Sequence, residues 1–239
     1  MKKIGLIICM FFAVSCAELQ QIADIAMENQ GITNADISAG LKQALNQGVQ
    51  DRVTNLASEN GFFYNDMVKI MLPEELQSLD NTLRGIGLGN IADEGLKLLN
   101  RAAEDAVSEA IPVFVNAIQE LTITDARDIL MGNDIAASNY LKSKTSDELY
   151  QRFQPIIESS FAKVGAAEVW SNLIQRYNQI PLTQNVNPDL TDYVTQEALK
   201  GVFVMLEIEE KQIRERIGMR KTELMKRVFA LQDSGLNPQ

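Results

Sequence analysis

The chain contains no histidine. That removes His-based general-base chemistry, Ser-His-Asp triads and every His-containing zinc site. Its two cysteines, Cys9 and Cys16, both stand near the N-terminus. No disulfide can therefore staple the body of the chain, and no thiol nucleophile exists in it. Aromatic residues make up only 6% of the 239, with 14 Gly and 6 Pro. This scarcity, beside abundant Ala, Leu, Gln and Glu, favours helix over sheet. Basic residues are outnumbered 22 to 32, for a net charge of −10. Without Lys2 and Lys3 the balance is 20 against 32, or −12. Such a surface repels nucleic acid and anionic lipid, so neither is expected as a partner of the bulk surface. A carboxylate-only or Ser/Lys mechanism survives these exclusions, but no catalytic residue, metal ligand or cofactor is assigned. What remains, 46% hydrophobic and 23% charged residues, is the composition of a globular domain.

Residues 1–15 read as a targeting segment. Lys2 and Lys3 supply the positive start, and Ile4 to Val14 an apolar run within the roughly 7–15 residues of a signal core. The run is shorter than the ~20 residues a spanning helix needs. Ala13-Val14-Ser15-Cys16 resembles the lipobox of bacterial lipoproteins, with Ala13 where leucine is usual. The resemblance implies a diacylglyceryl-modified, acylated Cys16 as the mature N-terminus, and several acyl chains anchor stably where one is marginal. Ala17, in place of an aspartate after the cysteine, favours the outer membrane by analogy with lipoprotein sorting. Residues 16–32 are then the lipidated cysteine and a tether, and 33–239 a helical domain.

Apolar residues in the domain recur at helical spacing. Thr33-x-x-Asp36 starts a first helix carrying Ile37, Leu41, Leu45, Val49 and Val53, with Asn60-Gly61 ending it. Val68, Ile70 and Leu72 alternate with other residues, a hint of extended chain. Pro73 suits the first turn of a helix with Leu76, Leu79 and Leu83 on its stripe. Gly85, Gly87 and Gly89 follow as a turn; lacking a preceding strand and a following Lys-Ser/Thr, they do not make a phosphate loop. Asn90 caps a long central helix that Pro112 should kink. Thr122-x-x-Asp125 caps a short one. Asp134 to Leu141 adds a turn or two, and Thr145-x-x-Glu148 is expected to cap a further helix with a second kink at Pro155. Trp170, Leu173, Ile174 and Tyr177 form a stripe, and Asn187-Pro188 opens the last long helix. Gly218 ends that helix, and Thr222 begins a terminal one. The expected fold class is all-α: a single-domain multi-helix bundle with kinked helices and at most a minor extended hairpin.

Several of these stretches together resemble the bacterial domain-of-unknown-function family 4197, from about Ile37 to Phe229. The marks are Gly40-Leu41-Lys42-x-Ala44-Leu45, Ile70-x-Leu72-Pro73, Asn100-Arg101-Ala102-Ala103-Glu104 and Asp125-Ala126-x-x-Ile129-Leu130-x-Gly132. They continue with Ala136-Ala137-Ser138-x-Tyr140, Tyr193-Val194-Thr195, Gly201-x-Phe203, Glu210-x-x-Ile213-Arg214 and Lys226-x-Val228-Phe229. Ser138 and Leu141 depart from the Thr and Phe of the family pattern. The resemblance implies a fold and a location, and no activity.

The candidate polar cluster is Asn100, Arg101, Glu104, Asp125, Asp128, Glu210 and Arg214, with Arg127 beside it. Asn100 and Glu104 share a helix face, and Asp125 and Asp128 another. A bent hairpin bringing these together makes either a polar pocket for a ligand or cation, or an ion-pair network that fixes helix register; the network is the preferred reading. Glu207–Lys211 and Glu210–Arg214 are i, i+4 pairs read as a solvated face, unless Arg214 turns inward to Asp125 or Glu104. The functional expectation is an envelope lipoprotein, lipid-anchored at the periplasmic face of the outer membrane. It would be a binding or scaffolding module for an unknown envelope protein or small ligand. The alternative is a carboxylate-dependent hydrolase of an envelope polymer. One consequence of the cysteine count is directly measurable: the thermal midpoint of the protein should be the same with and without reductant, and a reductant-dependent shift would mean a structural disulfide.

Overall fold

A computed structural model describes residues 31–73, 89–179 and 189–233, with isolated positions between them. The expected signal over residues 1–15, Cys16 and most of the tether lie outside the described residues. So do the expected stripe residues Leu76, Leu79 and Leu83, the Leu173 and Tyr177 side chains, and Asn187-Pro188.

The chain is all-α. Among the described residues there are eight α-helices and no strand. They are α1 (Asn34–Leu56), α2 (Gly89–Val107), α3 (Ala110–Glu120), α4 (Ile123–Leu130), α5 (Ala136–Ala162), α6 (Ala166–Tyr177), α7 (Leu190–Glu215) and α8 (Glu223–Asp233). A 3₁₀ turn, Ile217–Met219, separates α7 from α8. The periodic stripes explain the arrangement. Helix α7 buries Val194, Ala198, Val202, Met205, Leu206 and Ile213, more than one face of the cylinder, and packs against α5, α1 and α2. Helix α1 in turn touches α3, α4 and α8.

The starts of several helices follow their side chains. Thr33 and Asp36 form a reciprocal capping box, with the Thr33 Oγ1 accepting from the Asp36 N–H at 3.1 Å. Ile32 and Ile37 flank that cap at the positions of a hydrophobic staple, and both are buried. Ile32 thus belongs to the core rather than to the tether. Thr122 and Asp125 repeat the box on α4, and Thr222 Oγ1 accepts from Met225 N–H at the head of α8.

Other expectations need correction. Asn90 lies inside α2, which begins at Gly89. Pro112 marks a break rather than a kink: α2 ends at Val107, and Pro112 is the third residue of α3, where a missing N–H costs no helical bond. Thr145 caps nothing. It sits in the middle of α5, where its hydroxyl donates to Leu141 O at 2.7 Å, so a single helix runs from Ala136 through Pro155. The alternation at Val68–Leu72 is not a strand; the Val68 N–H donates to Asn65 O in a turn, and 69–73 follow without regular structure. Asp189 caps α7, its side chain accepting from the Asp192 N–H.

Aromatic rings join the layers. Phe114 meets Phe203 edge-on at 6.0 Å, and Trp170 stacks on Tyr193 at the same distance. The Tyr193 hydroxyl donates to Met71 O at 2.7 Å. Tyr150 of α5 donates to Asp192 of α7 at 2.6 Å, and that bond pushes the Tyr150 phenol up to about 12. The Phe62 ring lies against Gly201, where an added Cβ would come within 2.7 Å of ring carbon Cε1. Helix propensity favours Ala over Gly by about 1 kcal/mol, but overpacking a full core costs roughly 1–3 kcal/mol. Gly201→Ala should therefore lower the urea midpoint. Gly218→Ala, which meets open space, should stay within about 0.5 kcal/mol of the parent.

Candidate functional site

The candidate residues separate into two stations instead of one cluster. The first is on α2. Asn100 is fully buried, and its side-chain amide works as a strand neighbour would: Oδ1 accepts the Ile70 N–H at 2.8 Å and Nδ2 donates to Ile70 O at 2.8 Å. Nδ2 also donates to Leu96 O. One turn on, Glu104 is 2% exposed and faces the loop after α1. Its oxygens accept the N–H groups of Asn60 and Phe62, each at 3.1 Å, and of Phe63 at 3.3 Å. Asn60 has φ 64°, a left-handed conformation that Asn tolerates, and this fits the turn over the carboxylate. Arg101 lies outside this arrangement. Its side chain is 49% exposed and reaches Glu104 at 3.4 Å and Asp105 at 3.2 Å.

The second station is on α7. Helix α5 begins after Ile135, which has no side-chain acceptor and caps nothing. Glu210 supplies the cap from another helix: it accepts the Ala137 and Ser138 N–H groups at 2.9 and 2.8 Å, and the Ser138 hydroxyl at 2.8 Å. Arg214 is 3% exposed and caps the end of α4, donating to Ile129 O at 2.8 Å and Leu130 O at 3.0 Å. It also donates to Gln232 of α8, and to Glu210 through Nε and Nη2 at 3.0 and 2.8 Å. A carboxylate thus sits at a positive helix start and a guanidinium at a negative helix end, as the helix dipoles favour. Arg214 does turn inward, but to carbonyls and not to Asp125 or Glu104; the solvated-face reading of this pair is overturned.

Asp125 is spent on its own capping box. The Thr122 hydroxyl and N–H that it accepts hold its carboxyl below the usual range. Asp128 is exposed on the same helix. Neither joins the Glu104 station. Two buried groups escaped the sequence reading. Arg220, 2% exposed, donates to Ile213 O and Arg214 O at the end of α7 and forks onto both oxygens of Asp233. Glu209, also 2% exposed, pairs with Arg52. Glu209 had a signal, since it falls on the Leu206–Ile213 stripe; Arg220 had none. Among the described residues no group of three His, Cys, Asp or Glu side chains is placed to hold a metal.

These geometries assign different costs to neighbouring residues. Glu104→Ala leaves three loop N–H groups without their acceptor and should cost roughly 3–5 kcal/mol. Arg101→Ala removes a half-exposed partner at long distance and should cost about 0–1 kcal/mol. Arg214→Met should resemble Glu104→Ala, because it strands Glu210 in the interior. Urea midpoints of the three variants check this; equal losses for Arg101 and Glu104 would mean that their ion pair, not the loop contacts, carries the station.

No curated protein and no solved structure matches the chain. One family model does, over residues 31–230, and so spans both stations and nearly every helix described above. The chain belongs to the family described as Protein of unknown function (DUF4197).

Proposed function

We propose that the protein is a cell-envelope lipoprotein, held through Cys16 at the periplasmic face of the outer membrane, and that it acts as a binding or scaffolding module. The observation that carries the binding reading is how the buried candidate side chains are used. The Asn100, Glu104, Glu210 and Arg214 groups are engaged with backbone N–H and C=O groups, so they hold the fold and offer no reactive atom. A hydrolase of the acidic type needs two carboxyls across an open cleft, and Glu104 and Glu210 supply no such pair.

The surface offers different chemistry. Tyr64, Met67 and Met71 are 74%, 63% and 46% exposed on the segment that Asn100 and Glu104 pin down. Methionine and tyrosine side chains adapt to varied apolar partners, and a pinned backbone presents them at little entropic cost. No helix among the described residues is long and apolar enough to cross a membrane, and the anchoring proposal rests on the Ala13–Cys16 sequence alone. Cys16→Ser should move the protein from the membrane pellet to the soluble fraction. Persistence in the pellet after a high-salt wash would sink the anchoring half. For the binding half, a photo-crosslinker at position 67 should give a discrete adduct in intact cells. The adduct should vanish in a Tyr64→Ser/Met71→Ser background, whose stability should stay within about 0.5 kcal/mol of the parent.

A further inference from the structure

Asn60-Gly61 is the one Asn-Gly pair in the chain, and the turn after α1 calls for both residues. Asn60 holds φ 64°, which asparagine tolerates better than most side chains. A Cβ on Gly61 would collide with the carbonyl oxygens of Asn55 and Leu56, so no larger residue fits there. The same pair is chemically labile. An asparagine in flexible chain can react with the backbone amide that follows it, and a glycine there has no side chain to hinder the approach.

The turn fixes that amide at both ends. The Asn60 N–H donates to Glu104 Oε2 at 3.1 Å. Asn60 O accepts the Tyr64 N–H at 3.2 Å, and the Gly61 N–H donates to Ser58 O at 3.0 Å. The peptide plane between Asn60 and Gly61 is thus held at its oxygen and at its nitrogen. Ring closure needs the Gly61 nitrogen to leave Ser58 O and turn to the Asn60 side-chain carbon. We propose that Asn60 is a covalent modification site that this turn keeps closed, and that it reacts only when the loop opens. In the open loop the Gly61 nitrogen attacks Asn60 Cγ, the Cγ–Nδ2 bond breaks, and ammonia leaves with the proton of the Gly61 amide. One water then opens the succinimide at either carbonyl and yields aspartate or isoaspartate. Both products add a negative charge to the residue whose N–H meets the buried Glu104, and isoaspartate also lengthens the backbone by one carbon. The turn then cannot reclose as before, and Glu104 loses its hold on the Phe62 and Phe63 N–H groups. This holds whether or not the loop binds a partner.

Peptide mapping by mass spectrometry, on the full chain in mildly alkaline buffer, follows position 60 over time. Conversion in the native protein should be at least about tenfold slower than in the urea-unfolded chain, because only the opened fraction reacts. A smaller ratio overturns the proposal. A second measurement tests reclosure. Chain converted in urea and then refolded should be cut by chymotrypsin at Phe62, which is buried in the native fold. Asn60→Gly keeps the positive φ and cannot convert, so after the same treatment it should resist. A converted chain as resistant as this control would show that the turn accepts the product, and would equally overturn the proposal. Should Asn60→Gly not refold, parent chain passed through urea at acidic pH, where ring closure is slow, serves as the control.

Discussion

The turn between α4 and α5 sets the problem that the Glu210–Arg214 pair solves. Leu130 ends one helix and Ala136 begins the next, so carbonyls and N–H groups that no helix can satisfy meet within a few residues. Locally Asn133 O meets the Ala136 N–H, but Ile135 has no side-chain acceptor for the N–H groups that follow. An ion pair from α7 closes both ends at once, and each charge faces the dipole that suits it. Burying two charges is expensive, and their mutual attraction alone often fails to offset it. Here the same atoms also satisfy Leu130 O and two N–H groups that would otherwise be stranded in the interior, and add a donor to Ile129 O beside its turn bond from the Gly132 N–H. The register of α7 against α5, one of the most extensive contacts of the bundle, follows from where this pair has to stand.

The same logic recurs wherever the chain leaves helical geometry. Glu104 and Asn100 receive the loop after α1, and Arg220 closes the end of α7. Apolar stripes tell a helix which face to bury, but many packings satisfy stripes equally well. A carboxylate that must meet particular N–H groups accepts few of them. The buried polar residues of this protein specify one arrangement of a bundle whose apolar residues would allow several. That division leaves recognition to what the surface presents, which is why the exposed loop and not the polar interior supports the binding proposal.

The helical class, most of the stripes and three of the side-chain caps were legible because they depend on residues within four positions of each other. Thr33 with Asp36 and Thr122 with Asp125 are local pairs, and they formed as read. Thr145 has the same signature and failed, because the preceding segment offered no break and the hydroxyl found Leu141 O instead. Pro112 was legible as a disturbance but not as a helix start, since proline fits both. The polar residues were identified as a group, yet their partners were not. Those partners are backbone groups that carry no sequence signal, and Glu210 meets Ser138 across 72 residues. An i, i+4 pair looks the same on a wet face as on a buried one; only the long-range packing of α7 distinguishes them.

Helix α8 has a bearing on when the native contacts of two buried arginines can first form. Arg220 finds its carboxylate in Asp233, and Arg214 finds an amide in Gln232. Both guanidiniums lie in the interior, and these partners stand 13 and 18 residues further along the chain. A polypeptide elongating from its N-terminus therefore carries nearly the whole bundle while two central cations still lack these partners. These two contacts wait for α8, so this helix acts as a latch on the helices that precede it in the chain.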